Sequence, residues 1–95
     1  GVMTTEAFVS QGEEWHVNAQ LAEGGRLVVE VIDDTGAVVA ISKPVTGDQP
    51  RWPIRWAQGS GRGLVNQRVR ARFHLTQGHL FSYWMDRAVG KPKHP

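Results

Sequence analysis

The sequence predicts an all-β domain, an antiparallel β-sandwich of about seven strands. Three observations carry that prediction. Apolar residues alternate with period two in short runs, no window of about 11 residues shows a helical stripe, and turn-forming residues separate the runs. The expected strands are Met3 to Ser10, Trp15 to Leu21, Arg26 to Asp33, Val38 to Lys43, Arg51 to Ala57, Gln67 to Thr76 and His79 to Asp86. Seven short strands in 95 residues suit a sandwich or a barrel.

Each run has its own signature. Trp15 opens the second and is expected in the core. In the third, Leu27, Val29 and Val31 share one face with Glu30 opposite, while Val28 and Ile32 leave that second face partly apolar. In the fifth, Trp52, Ile54 and Trp56 would lie on one side and Arg51, Pro53 and Arg55 on the other. Pro53 has no N–H for a ladder, which favours an edge or a bulge, and a bulge there would send Trp52 and Trp56 to different faces. The sixth alternates cleanly: Val69, Ala71, Phe73 and Leu75 inward, Arg68, Arg70, Arg72 and His74 outward. In the last, Phe81, Tyr83 and Met85 alternate with Leu80, Ser82 and Trp84, so one aromatic set must lie outside the main core.

The connections are read from turn chemistry. Asp34-Thr35-Gly36 suits a tight hairpin, with an aspartate capping the turn and glycine accepting positive φ. Gln77-Gly78, between Leu75 and Leu80, is a second hairpin signal, and Gly24-Gly25 a third connection. The glycine-rich run from Gln58 to Gly63 lacks both the Lys-Ser/Thr ending and the following helix of a phosphate-binding loop. Residues 87–95 are polar, proline-bearing and aperiodic, and read as a tail or linker after a domain of residues 1–86.

The bulk properties narrow the function. A 10.5 kDa chain supports one modest core, so any activity is expected on a surface. The net charge of +2 comes without a lysine-rich run, which argues against nucleic acid or membrane as a partner. Without cysteine there is no disulfide framework and no zinc–thiolate site. No apolar run approaches the roughly 20 residues of a membrane span, and the start at Gly1-Val2-Met3 looks like an excised piece of a longer chain. Glu13, Glu14, Glu30 and Asp86 offer no catalytic pairing, so the domain is not expected to be an enzyme.

Taken in order, the motifs resemble a known family. They comprise Thr5 and Phe8; Gly12, Trp15, Val17 and Asn18; the run Gly25 to Asp33; and Gly36. Gly47, Asp48, Arg51, Ile54, Arg55 and Trp56 follow, then Val69 to Leu75 and Leu80 to Tyr83. The pattern resembles a small β-sandwich accessory domain attached to secreted bacterial glycoside hydrolases and sialidase-like β-propellers, and it covers residues 1–86. The resemblance implies a jelly-roll-like or immunoglobulin-like sandwich, extracellular, without catalytic residues. Such a domain serves either as a carbohydrate-binding module or as a structural appendage packed against the parent's catalytic domain. Trp52 and Trp84 stand where that pattern has polar residues, and Lys43-Pro44 replaces a stretch where cysteine is common.

A glycan site would use aromatic rings, because sugars present C–H faces that stack on them. The candidate ligand-binding residues are Trp84 and Trp52 as stacking platforms, Arg51, Arg55, His79 and Tyr83 as polar partners, and Trp56, whose core role competes with display. The expected partner is a polysaccharide or oligosaccharide. The outward arginines could instead grip acidic sugars, but cross-strand pairs to Glu30, Asp48 or Glu14 are the simpler expectation, and Asp48 and Arg51 look like a structural pair. No cofactor is expected. Calcium on Asp33, Asp34 and Asp48 is the alternative, though these aspartates form no contiguous ligand run, and His16, His74, His79 and His94 lack metal spacing.

Overall fold

The computed structural model describes residues 1–12, 14–59 and 64–86, without the side chains of residues 49, 50 and 86. Most of the glycine-rich loop and the whole of the tail at 87–95 therefore lie outside the described residues. The described chain is all-β and antiparallel. Its strands are β1 (Val2–Thr4), β2 (Phe8–Gln11), β3 (Glu14–Asp33), β4 (Val38–Ser42), β5 (Asp48–Pro53), β6 (Trp56–Gln58) and β7 (Val65–Asp86). They form one sheet in the order β1-β7-β3-β4-β6, with β2 also on β7 and β5 also on β3.

Seven strands are present, as expected, but their boundaries differ. The runs at 15–21 and 26–33 are a single strand, β3, and those at 67–76 and 79–86 are a single strand, β7. The first expected strand divides into β1 and β2, and the fifth into β5 and β6. β3 and β7 pair with each other from Glu14↔Asp86 to Asp33↔Val69 and form the backbone of the fold.

This long ribbon bends where the two glycine dipeptides meet. Leu21 pairs with Gly78 and Arg26 with Thr76, so residues 22–25 stand opposite Gln77 alone. Gly24 (φ 80°) and Gln77 (φ 52°) both take the left-handed conformation there. A Cβ on Gly25 would strike the carbonyl oxygens of Gln77 and Thr76, and one on Gly78 would lie 2.6 Å from the Gln20 carbonyl oxygen. Gly24-Gly25 and Gln77-Gly78 are therefore not two separate turns. They are the two sides of one corner, and glycine is required because the backbones approach too closely for a side chain.

The bend creates two layers. One consists of β5, the first half of β3 and the second half of β7. The other consists of β1 and β2 on the first half of β7, followed by the second half of β3, β4 and β6. Between them lies one core to which both halves contribute: Trp15, Val17, Ala19 and Leu21 from one, and Leu27, Val29, Val31, Val69, Ala71 and Phe73 from the other. Residues 54–55 carry the chain between layers, with Ile54 N donating to Trp15 O (2.8 Å) and Lys43 N donating to Arg55 O (2.7 Å).

Where ladders break, hydroxyls replace backbone groups. Buried Ser42 Oγ accepts from Val29 N (2.8 Å), and Thr5 Oγ1 accepts from Ala71 N (3.0 Å) between β1 and β2. The β3–β4 hairpin forms as predicted, with Gly36 at φ 88°. Its capping aspartate is Asp33, one residue before the predicted turn, whose Oδ1 accepts from Thr35 N (2.9 Å), Thr35 Oγ1 (2.6 Å) and Ala37 N (3.0 Å). The Thr35 hydroxyl, followed by the backbone N–H groups of Ala37, Thr35 and Gly36, holds the Asp33 carboxyl below its ordinary value against the opposing effect of desolvation.

Candidate functional site

The register around His16 assigns the tryptophans to faces. His16 pairs with Trp84 on β7 and with Pro53 on β5, while its neighbour Val17 pairs with Tyr83 and with Trp52. Consecutive strand residues point to opposite faces, and Val17 is buried. Trp52 thus faces the core and Trp84 faces outward, so the two do not share a surface. Trp52 and Trp56 both pack against the core cluster, and Trp56 stands edge-on to Trp15 at 5.6 Å and 82°. Trp15 is 3% exposed and leans on Phe8 at 5.8 Å. The alternation through Trp52, Ile54 and Trp56 survives Pro53 because the proline ends β5 rather than bulging within it. Arg55 is exposed in the connection between β5 and β6, outside the ladder that places Pro53 opposite His16.

The outer face of the first layer carries an aromatic group on a polar surface. Half-buried Trp84 stacks on His16, its ring centroid 5.4 Å away and the planes 9° apart. Arg51 reaches from β5 to place its guanidinium carbon 5.9 Å from the Trp84 ring, a cation–π distance. Asn18 and exposed Ser82, cross-strand partners, complete the face. Among the described residues no ion pair joins Arg51 to Asp48, because the guanidinium is turned onto the indole instead. The rigid indole, a cation and two neutral polar groups together can stack on an apolar ring face and hydrogen-bond its substituents. His16, Asn18 and Ser82 are members that the sequence reading did not name as site residues; for His16 and Asn18 the signal is cross-strand adjacency to Trp84 and Ser82, and that required the register.

His79 and Tyr83 belong to another surface. A groove of about 650 Å³ opens along β7 and β1, lined by Val2, Met3, Leu75, His79, Phe81 and Tyr83 among others. Tyr83 packs on buried Phe73 (4.8 Å), and His79 stacks on Phe81 (6.2 Å). Phe81 is a second residue missed from sequence. Asn18 pairs with Ser82 but Ala19 pairs with Leu80, so Phe81 is the extra residue of a bulge, and it is 61% exposed.

The arginine face is already engaged. Arg68 lies 3.4 Å from Asp34, Arg70 donates to Thr5 O (3.2 Å), and Arg72 (3.4 Å) and His74 (2.7 Å) converge on Glu30 Oε1. The cross-strand pairing expected for Glu30 is present. Among the described residues no three His, Cys, Asp or Glu side chains come together as a metal site, and Asp33 spends its carboxylate on the hairpin. Comparison with protein-family models, with characterised proteins and with solved structures finds no match to this chain.

Proposed function

We propose that this domain is a non-catalytic carbohydrate-binding module of a larger, secreted polysaccharide-active enzyme, and that it holds glycan on the outer face around Trp84. One observation carries the reading. Three tryptophans are committed to the core or its rim, whereas Trp84 is directed to a polar face and braced there by His16 and Arg51. An indole immobilised before binding loses little further side-chain entropy when a sugar stacks on it. Arg51, Ser82 and Asn18 then supply hydrogen bonds to ring hydroxyls. Affinity is modest, because a single stacked ring on a shallow face makes few desolvated contacts.

Affinity electrophoresis of the domain against neutral and acidic polysaccharides tests this. A neutral polysaccharide should retard the wild type, and Trp84→Ala should abolish the retardation while Trp56→Phe preserves it. Absence of retardation by every polymer, or retardation that survives Trp84→Ala, would sink the assignment. A second reading, the appendage that packs against a catalytic domain with no ligand of its own, is favoured by the apolar groove at Phe81 and Tyr83. Under that reading Trp84→Ala is silent.

A further inference from the structure

The sheet edges are unequally protected. On the side of β7 away from β3, β2 covers Val65–Val69 and β1 covers Arg72–His74. Gly1 and Leu75 then exchange a pair of backbone hydrogen bonds at 2.7 and 2.8 Å. Beyond Leu75, no strand among the described residues pairs with this edge of β7.

Other edges carry the usual defences. β5 contains Pro50, Arg51 and Pro53, and β1, β2 and β6 are only three or four residues long. From Thr76 to Met85 the second half of β7 has no charged residue and no proline. The bulge at Phe81, which elsewhere would blunt an edge, here turns an aromatic ring outward. Phe81 lines one groove with Tyr83, Met3 (45% exposed) and Val2 (64%), an apolar border to the same edge.

We infer that this edge is a self-association surface, on which the β7 strand of a second copy adds antiparallel across a two-fold axis near Ser82. A second copy fits because the edge is self-complementary. A strand paired with itself about a two-fold needs no second motif, and the neutral stretch brings no like charges together. An axis near Ser82 sets Phe81 of one copy opposite Tyr83 of the other, an aromatic cross-strand pair. The β5–β3–β7 layers of the two copies would then run into one continuous sheet. The inference does not depend on glycan binding, since Trp84 stays on the outer face.

Light scattering coupled to size exclusion, on the whole 95-residue chain over a range of loading concentrations, tests it. The wild type should approach twice 10.5 kDa as concentration rises. Phe81→Lys and Tyr83→Lys should each weaken the dimer by about tenfold or more, since each sets a charge in the two-fold interface. Val9→Lys, on the β2 edge, should leave the dimer intact; far-UV circular dichroism checks that each variant is folded. A monomer at every concentration overturns the inference. So does a dimer that survives both lysines, or a mass that keeps growing past two copies, which would indicate open-ended association or another surface.

Discussion

Ser42 and Asp33 show how single polar atoms hold this fold. Ser42→Ala leaves the buried Val29 N–H without the acceptor it has at 2.8 Å, so urea denaturation should show a loss of about 1–3 kcal/mol. Asp33 acts through its charge. Its carboxyl ionises more readily in the folded hairpin than the ordinary value of 3.8, so the folded state binds fewer protons near that pH. The contribution is complete above the unfolded value and is lost as pH falls through the lowered folded one. Melting temperature should therefore fall below about pH 4, with a smaller fall in Asp33→Asn, whose side chain does not titrate. The aspartates around this turn were readable as a hairpin signal, but Asp33 and Asp34 are adjacent and chemically alike. Only the hydrogen bonds show that Asp33 caps while Asp34 meets Arg68.

The two long strands and their corner account for most of the misplaced boundaries. A Gly-Gly or Gln-Gly between apolar runs is equally compatible with a reversal of the chain and with a sharp bend, since both need left-handed or closely approached backbone. The choice depends on partners about fifty residues away in sequence, and here each dipeptide faces the other. Gly25→Ala places a methyl against the carbonyls of Thr76 and Gln77, and Gly78→Ala against that of Gln20. Each should destabilise by about 1–3 kcal/mol in equilibrium unfolding, whereas Gly36→Asn, in an open turn that asparagine tolerates, should cost less. Alternation was dependable where the ladder is regular, as in Val69 to Phe73, whose inward and outward sets are buried and wet as expected. It failed at Phe81, where one inserted residue resets the phase.

Both layers share one hydrophobic cluster, so neither half of the molecule has a core of its own. Tryptophan fluorescence, which senses Trp15, Trp52 and Trp56 at that cluster, and far-UV circular dichroism should report one coincident unfolding transition. Separate transitions would mean that the layers fold as independent units. The same layering separates two surfaces, the polar outer face at Trp84 and the apolar edge at Phe81, so a substitution at one should leave the function of the other unchanged.

Residue order was enough to establish an antiparallel all-β domain, much of its core-facing alternation and a hairpin turn at Asp34–Gly36, because these depend on local periodicity and turn conformation. It also named Trp84 as a stacking candidate, from the polar Ser82 beside it in phase, but it gave Trp52 the same standing. That Trp52 and Trp84 point to opposite faces is a matter of pairing, since a shift of one residue in the register against His16 and Val17 would exchange their sides. The bracing of Trp84 by His16 and Arg51, and the neutral edge of β7 that no strand among the described residues covers beyond Leu75, likewise arise from strands distant in the chain. Such contacts depend on the bend at the glycine corner, which brings the two halves of β3 and β7 around a common core.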